Sequence, residues 1–307
     1  MVALACVLAA TMPAPGADLV PGFERMTCND AYGRNITFYI SPVTANEKKP
    51  VALIILGSGG QSIWMRVGDR IAGGLQNLFL NVAKEQYRVL VVEKPGVPFA
   101  FNPPQPGTAI DCPPEFLAEH TLERWSAANA AALKAAWALP GSDPARTLVV
   151  GHSEGAKVAA KVSRLEELVT HVAMLAGGGA NQLFDLATMA EKGMPGASQS
   201  VYAEWEKIKR DPESTTKMAW GHPYRYWGSM LRTSPLEEAL GSRAKLFAAS
   251  GSRDMAVPIE SFEVLRAGLA QAERPAELHR IEGADHGFEP LGFDAVFRMV
   301  LKWAAEA

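Results

Sequence analysis

Short apolar runs alternate with helix-period segments along most of the chain after residue 50. Residues 51–56 are apolar throughout and end at Gly57. A run that short, rich in aliphatic residues and closed by glycine, predicts a strand buried on both faces. The same pattern predicts strands over 88–92, over 147–150 running straight into Gly151, over 171–176 ending in Gly177-Gly178-Gly179, over 245–249, and over 278–281. Residues 35–40 come before these and predict an antiparallel edge strand. Apolar residues at three- and four-residue spacing predict helices over 75–85, 117–139, 154–164, 258–272 and 293–305, with Pro258 at a favoured first-turn position. Such alternation predicts an α/β fold: a mostly parallel sheet with helices on both faces.

One stretch breaks the alternation. Residues 179–243 far exceed the roughly 2–6 residues of a tight strand–helix connection. They hold Tyr202, Trp205, Trp220, Tyr224, Tyr226 and Trp227. The stretch predicts a mostly helical cap inserted into one domain, with Trp220, Tyr224 and Trp227 as walls of a substrate pocket. A self-packed excursion with no part in binding is the competing reading.

Composition narrows the classes. The net charge is -3 over 307 residues and no run of Lys and Arg occurs, so nothing argues for nucleic acid or an anionic membrane surface. No segment approaches the roughly 20 apolar residues of a stable membrane span. The nearest is 2–12, followed by Pro13-Ala14-Pro15-Gly16-Ala17. It reads as a signal remnant within 1–22, although no basic residue precedes Arg25, and leaves a main domain over 23–307. Export to a periplasmic or extracellular site is expected on that reading; a cytoplasmic protein is the alternative. Of the three cysteines, Cys6 lies in this segment. Cys28 and Cys112 remain as an even pair in loop-like sequence, and a disulfide between them is expected; two unpaired buried thiols are the alternative. No CxxC or clustered His/Cys spacing predicts a metal site.

The chemistry centres on Gly151-His152-Ser153-Glu154-Gly155. The pentapeptide is short, but here it follows an apolar strand and precedes a helical pattern, the setting of a nucleophile elbow. A serine on such a turn projects from the sheet, and the helix start supplies N–H groups for developing charge. Glu154 caps that helix or sits on the pocket floor. The hydroxyl needs a base. Of six histidines, His286 stands in a glycine-flanked loop, Gly283-Ala284-Asp285-His286-Gly287, between the last strand and the last helix. His152 points away from its neighbour; His120, His171, His222 and His279 fall on a helix, a strand edge, the cap and a strand. The base needs an orienting carboxylate. Asp254, in Gly251-Ser252-Arg253-Asp254-Met255-Ala256-Val257-Pro258, follows the fifth strand; Asp285 and Asp185 are alternatives.

With these motifs in the order Ser153, Asp254, His286, residues 35–307 resemble the α/β-hydrolase fold family, its serine esterase and lipase-like branch above all. There is some likeness to prolyl-oligopeptidase-like and dienelactone-hydrolase-like members. The resemblance implies a catalytic triad of Ser153, His286 and Asp254 and an oxyanion hole from the N–H of Glu154 and a donor in Leu56-Gly57-Ser58-Gly59-Gly60. Ser58 is the first choice and Gly59 the alternative, because Leu56 stands where the family often has histidine. The implied activity is hydrolysis of a small-molecule carboxylic ester, without a cofactor. A peptidase or amidase and a thioesterase are the alternatives, and a non-catalytic binding protein on the same fold is a third class. The glycine-rich loop lacks a following Gly-Lys-Ser/Thr, and Ser62 stands where a third glycine would be, which argues against a nucleotide site.

Overall fold

A computed structural model of the chain describes residues 20–44 and 46–306. The apolar segment over 2–12 and Cys6 lie outside the described residues. Two strands, β1 (Glu24–Asn29) and β2 (Asn35–Ile40), open the described chain and lead into β3 (Lys49–Ile55). A hairpin of β4 (Trp64–Val67) and β5 (Arg70–Gly73) precedes α1 (Leu75–Ala83) and β6 (Arg88–Val92). Then come α2 (Pro114–Glu119), α3 (Leu122–Ala138), β7 (Ser142–His152), α4 (Glu154–Leu165) and β8 (His171–Leu175). The insertion follows: α5 (Gln182–Gly193), α6 (Ser198–Arg210), the two-residue strands β9 (Met218–Ala219) and β10 (His222–Pro223), α7 (Tyr224–Met230) and α8 (Pro235–Leu240). The chain closes with β11 (Lys245–Gly251), α9 (Ile259–Gln271), β12 (Ala276–Ile281) and α10 (Phe293–Glu306).

The main sheet has eight strands in the order β1-β2-β6-β3-β7-β8-β11-β12. The strands from β6 to β12 in that order pair parallel, while β2 pairs antiparallel with both β1 and β6. Period-two alternation sends one set of side chains to each face. Val51, Leu53, Ile55, Leu90, Val92 and Val149 join a core under α3, α4 and α9. Ala52, Ile54, Val89, Val91, Leu148 and Val150 join a core under α1 and α10. Both faces are buried against helices, which explains why the central strands read as unbroken apolar runs.

Three expectations change. Residues 35–40 do form an antiparallel strand, but β1 takes the edge outside it. The helix expected over 117–139 is two helices. Thr121 starts the second as its N-cap, its side chain accepting from the Arg124 N–H, and His120 occupies the break. The Cys28–Cys112 disulfide is absent, and both thiols are free and buried. Cys28 sits in β1 and packs in the core with Ile36 and Phe38, whereas Cys112 packs in a separate cluster with Val97, Ala109 and Phe116. Each thiol is used as a small apolar side chain in its own core.

Candidate active site

The end of β7 and the start of α4 make a turn too tight for any side chain at its flanks. A Cβ on Gly151 would lie 1.9 Å from the Gly155 carbonyl oxygen, and one on Gly155 would lie 2.2 Å from that of Ile55. Ser153, between them, is held at φ 59 and ψ -125, a strained backbone for a residue with a side chain. Its N–H donates to Leu175 O at 2.8 Å, which fixes the turn to the end of β8.

The loop after β12 brings a second group to this turn. His286 Nδ1 bonds Asp254 Oδ2 at 2.7 Å, and Asp254 is buried. The other oxygen, Oδ1, accepts from the N–H groups of Ala256 and Val257 at 2.7 and 2.9 Å, so the carboxylate cannot swing away. Neither competing acid bonds His286, although Asp185 lines the cavity that holds Ser153. Asp285 is exposed and turns its own loop by accepting from the N–H groups of Gly287 and Glu289, and Asp185 is on α5. His152, beside the serine, donates from Nε2 to His286 O at 2.9 Å. Burial pushes the His152 imidazole down to about 4, with the neighbouring His286 adding to the shift. It therefore serves as a neutral strut for the His286 loop. The structure joins Asp254 to His286 and sets His286 against the neighbour of Ser153; among the described residues no hydrogen bond runs from Ser153 Oγ to His286.

Ser58, Ser153 and Glu154 line one cavity of about 320 Å³. Gly57 permits the approach of this loop, since a Cβ there would be 3.1 Å from the Ser153 Cβ. Gly59 takes φ 92, which favours glycine. Trp220 and Trp227 line the same cavity with their rings edge to face at 5.2 Å. Tyr224 lies off it, its hydroxyl donating to Glu204 at 2.5 Å.

Beneath the serine lies a polar cluster that single-sequence reading missed. Glu154 is almost wholly buried. Its Oε1 accepts from His120 Nε2 at 2.9 Å and its Oε2 from the Tyr226 hydroxyl at 2.7 Å. Lys94 Nζ stands 3.7 Å from Oε1 and donates to the carbonyls of Gly57 at 2.6 Å and Gly59 at 2.8 Å. One ammonium thus pins both ends of the Ser58 loop and faces the residue after the serine. Burial pushes the Glu154 carboxyl up, but His120 and Lys94 beside it, with the hydrogen bonds from His120 and Tyr226, hold it well below the usual range. Burial pushes His120 down. Its Nδ1 has no partner, an arrangement that suits a neutral ring donating from Nε2. His222 completes the cluster: it stacks on Tyr226 at 4.1 Å and bonds Gly107 O at 3.1 Å. Glu154 stands in the first turn of α4 but no side chain caps that helix, and both of its oxygens turn to the cluster instead. It ties the insertion, the α2–α3 break and the glycine loop to one point. Among the described residues no group of three His, Cys, Asp or Glu is placed to hold a metal ion.

Solved structures share this architecture. The chain is similar to Est1E from Butyrivibrio proteoclasticus, with TM-score 0.58 and 16% identity, covering 93% of this chain and 98% of that one. It is similar to acetyl xylan esterase 1 from Thermoanaerobacterium sp. JW/SL YS485, with TM-score 0.59 and 16% identity, covering 98% and 87%. It is similar also to a puromycin-hydrolyzing peptidase of Mycobacterium tuberculosis, with TM-score 0.62 and 18% identity. That match covers 97% of this chain and 42% of the peptidase, so the chain spans under half of the peptidase's length. No protein-family model and no curated protein matches the sequence. At these identities the likeness establishes the fold, which is the α/β-hydrolase fold.

Proposed function

We propose that the protein is a serine hydrolase that cleaves carboxylic esters through an acyl-enzyme. The observation that carries this reading is the buried Asp254 carboxylate bonded to His286, on a loop strapped by His152 to a serine at positive φ. In the mechanism His286 Nε2 takes the Ser153 proton as Oγ attacks the ester carbonyl. Asp254 holds the ring with Nδ1–H towards itself, leaving Nε2 free to accept. The N–H groups of Glu154 and Ser58 receive the oxyanion. The proton passes to the departing alcohol, and His286 then draws one from the water that releases the acid.

Esters are preferred over peptides because the chain matches two esterases over nearly their whole length, and the peptidase over less than half. The test is labelling by a fluorophosphonate and turnover of 4-nitrophenyl acetate. Ser153→Ala should abolish both, with at least a 10³-fold fall in kcat and an unchanged far-ultraviolet spectrum. Retained turnover in that variant overturns the assignment of Ser153. Faster cleavage of aminoacyl amides than of esters overturns the substrate class.

A further inference from the structure

One wall of the cavity is a single face of α5. Gln182, Asp185, Leu186 and Met189 follow the i, i+3, i+4, i+7 spacing of one helical face, and all four line the cavity that holds Ser153. A helix face turned inward is ordinarily apolar. Here its first turn carries a carboxylate and an amide instead. Asp185 is only 6% exposed, and its Oδ1 has no hydrogen-bond partner among the described residues. The Gln182 Oε1 is unpartnered in the same way. Ser261 compensates Asp185 only in part, and folding gains nothing from leaving these two oxygens unpaired. They suit a ligand that brings the donor.

Lys157 decides which donor. It also lines the cavity, and its ammonium is committed to the carbonyls of Met230 and Thr233, not to an ion pair with Asp185. A substrate ammonium placed on Asp185 would face this second cation across a poorly hydrated space. A hydroxyl would not: it donates to the carboxylate and leaves a lone pair for the lysine side. Among the other lining residues, Trp220 and Trp227 favour a flat ring to carry that hydroxyl.

We propose that the part of the substrate entering this cavity is an aromatic group bearing a hydroxyl, recognised by Asp185 with Gln182. The proposal rests on the ester-hydrolysis reading for its kinetic test, but not for its binding test. Two matched series serve the first: methyl 3-arylpropanoates, with the ring on the acyl side, and 2-arylethyl acetates, with the ring on the alcohol side. Each carries 4-hydroxyl, 4-methoxyl, hydrogen or 4-aminomethyl. The hydroxylated member of one series should exceed its methoxyl and unsubstituted partners at least tenfold in kcat/KM. Asp185→Ala should bring that ratio to about one, and the isosteric Asp185→Asn should lower it while guarding against a folding defect. Calorimetry on the Ser153→Ala protein with 3-(4-hydroxyphenyl)propan-1-ol and its methyl ether serves the second test, and the phenol should bind more tightly. The proposal is overturned by ratios within twofold in both series, by preference for the aminomethyl member, or by a preference that survives Asp185→Ala. If no ester is cleaved yet the phenol still binds preferentially and loses that preference in Asp185→Ala, the recognition site stands and the ester-hydrolysis reading falls. Equal binding of the phenol and its ether overturns the site.

Discussion

Removing Lys94 tests how the polar cluster beneath the serine is held together. Lys94→Met keeps an unbranched side chain, one atom shorter, and deletes its charge. The buried Glu154 carboxylate then loses its cation, and the carbonyls of Gly57 and Gly59 lose their donor. Breaking one partner out of a buried pair costs about 3–5 kcal/mol. Each orphaned buried acceptor adds about 1–3 kcal/mol where no water replaces the bond. The hydrogen bonds from His120 and Tyr226 remain and soften the loss. The expected destabilisation is about 3–5 kcal/mol at pH 7, a large part of the roughly 5–15 kcal/mol a domain possesses. Urea unfolding followed by circular dichroism reads it as a lower midpoint at unchanged slope. The double variant Lys94→Met/Glu154→Gln should recover roughly 1–3 kcal/mol of the loss, because the stranded charge is gone. The defect also carries a pH signature. Without Lys94 the Glu154 carboxyl moves up from its depressed position in the folded protein, so the penalty relative to the parent is full at neutral pH and shrinks as pH falls. Ester turnover should drop chiefly in kcat, since the displaced loop is the one proposed to bind the oxyanion. A cost below about 1 kcal/mol, or a double variant no more stable than the single, refutes the claim that Lys94 and Glu154 are a coupled buried pair.

Two further outcomes follow. His152→Phe fills the same space but removes the donor to His286 O; one neutral hydrogen bond is worth about 0.5–1.5 kcal/mol, so kcat/KM should fall roughly 3–10-fold, and an unchanged value would remove His152 as a strut. Burial pushes Glu93 and Asp185 up to about 7 in the folded protein, and partial compensation comes from Ser62 for the first and Ser261 for the second. Both groups therefore hold protons in the folded state that the unfolded chain has released between roughly pH 4.5 and 7. That stabilisation is complete at the acid end and is lost as pH rises through 7. Glu93→Gln should flatten this fall in unfolding free energy, and a slope identical to the parent's would contradict the assignment.

The parts legible in the sequence are those set by local pattern. Buried strands such as β3 and β6 alternate between two apolar cores, so their apolar runs stand out in any window. Asp254 and His286 each sit in a loop just after a strand, where position along the chain suffices to single them out. β1 was not legible because an edge strand with one face to solvent mixes Glu24, Arg25 and Thr27 with a single well-buried residue, Cys28. The break at His120 and Thr121 was hidden by apolar spacing that continues through it. Lys94 was not singled out, and His120 was set aside as a helix residue, for a different reason. Their roles are set by partners 60 and 34 positions away, at Glu154, and a lone charge after a strand gives no local sign of what it meets. The expected disulfide came from counting cysteines, and no count shows that the two thiols belong to separate cores.

The bond from Tyr226 to Glu154 restricts how this scaffold can be remodelled. Exchanging the insertion for another would remove Tyr226 and His222 and leave an ionised carboxylate short of a donor directly behind the serine. The insertion and the residue after Ser153 are therefore coupled through one buried bond. A chimera that changes one without the other should lose fold or activity, whatever pocket it gains.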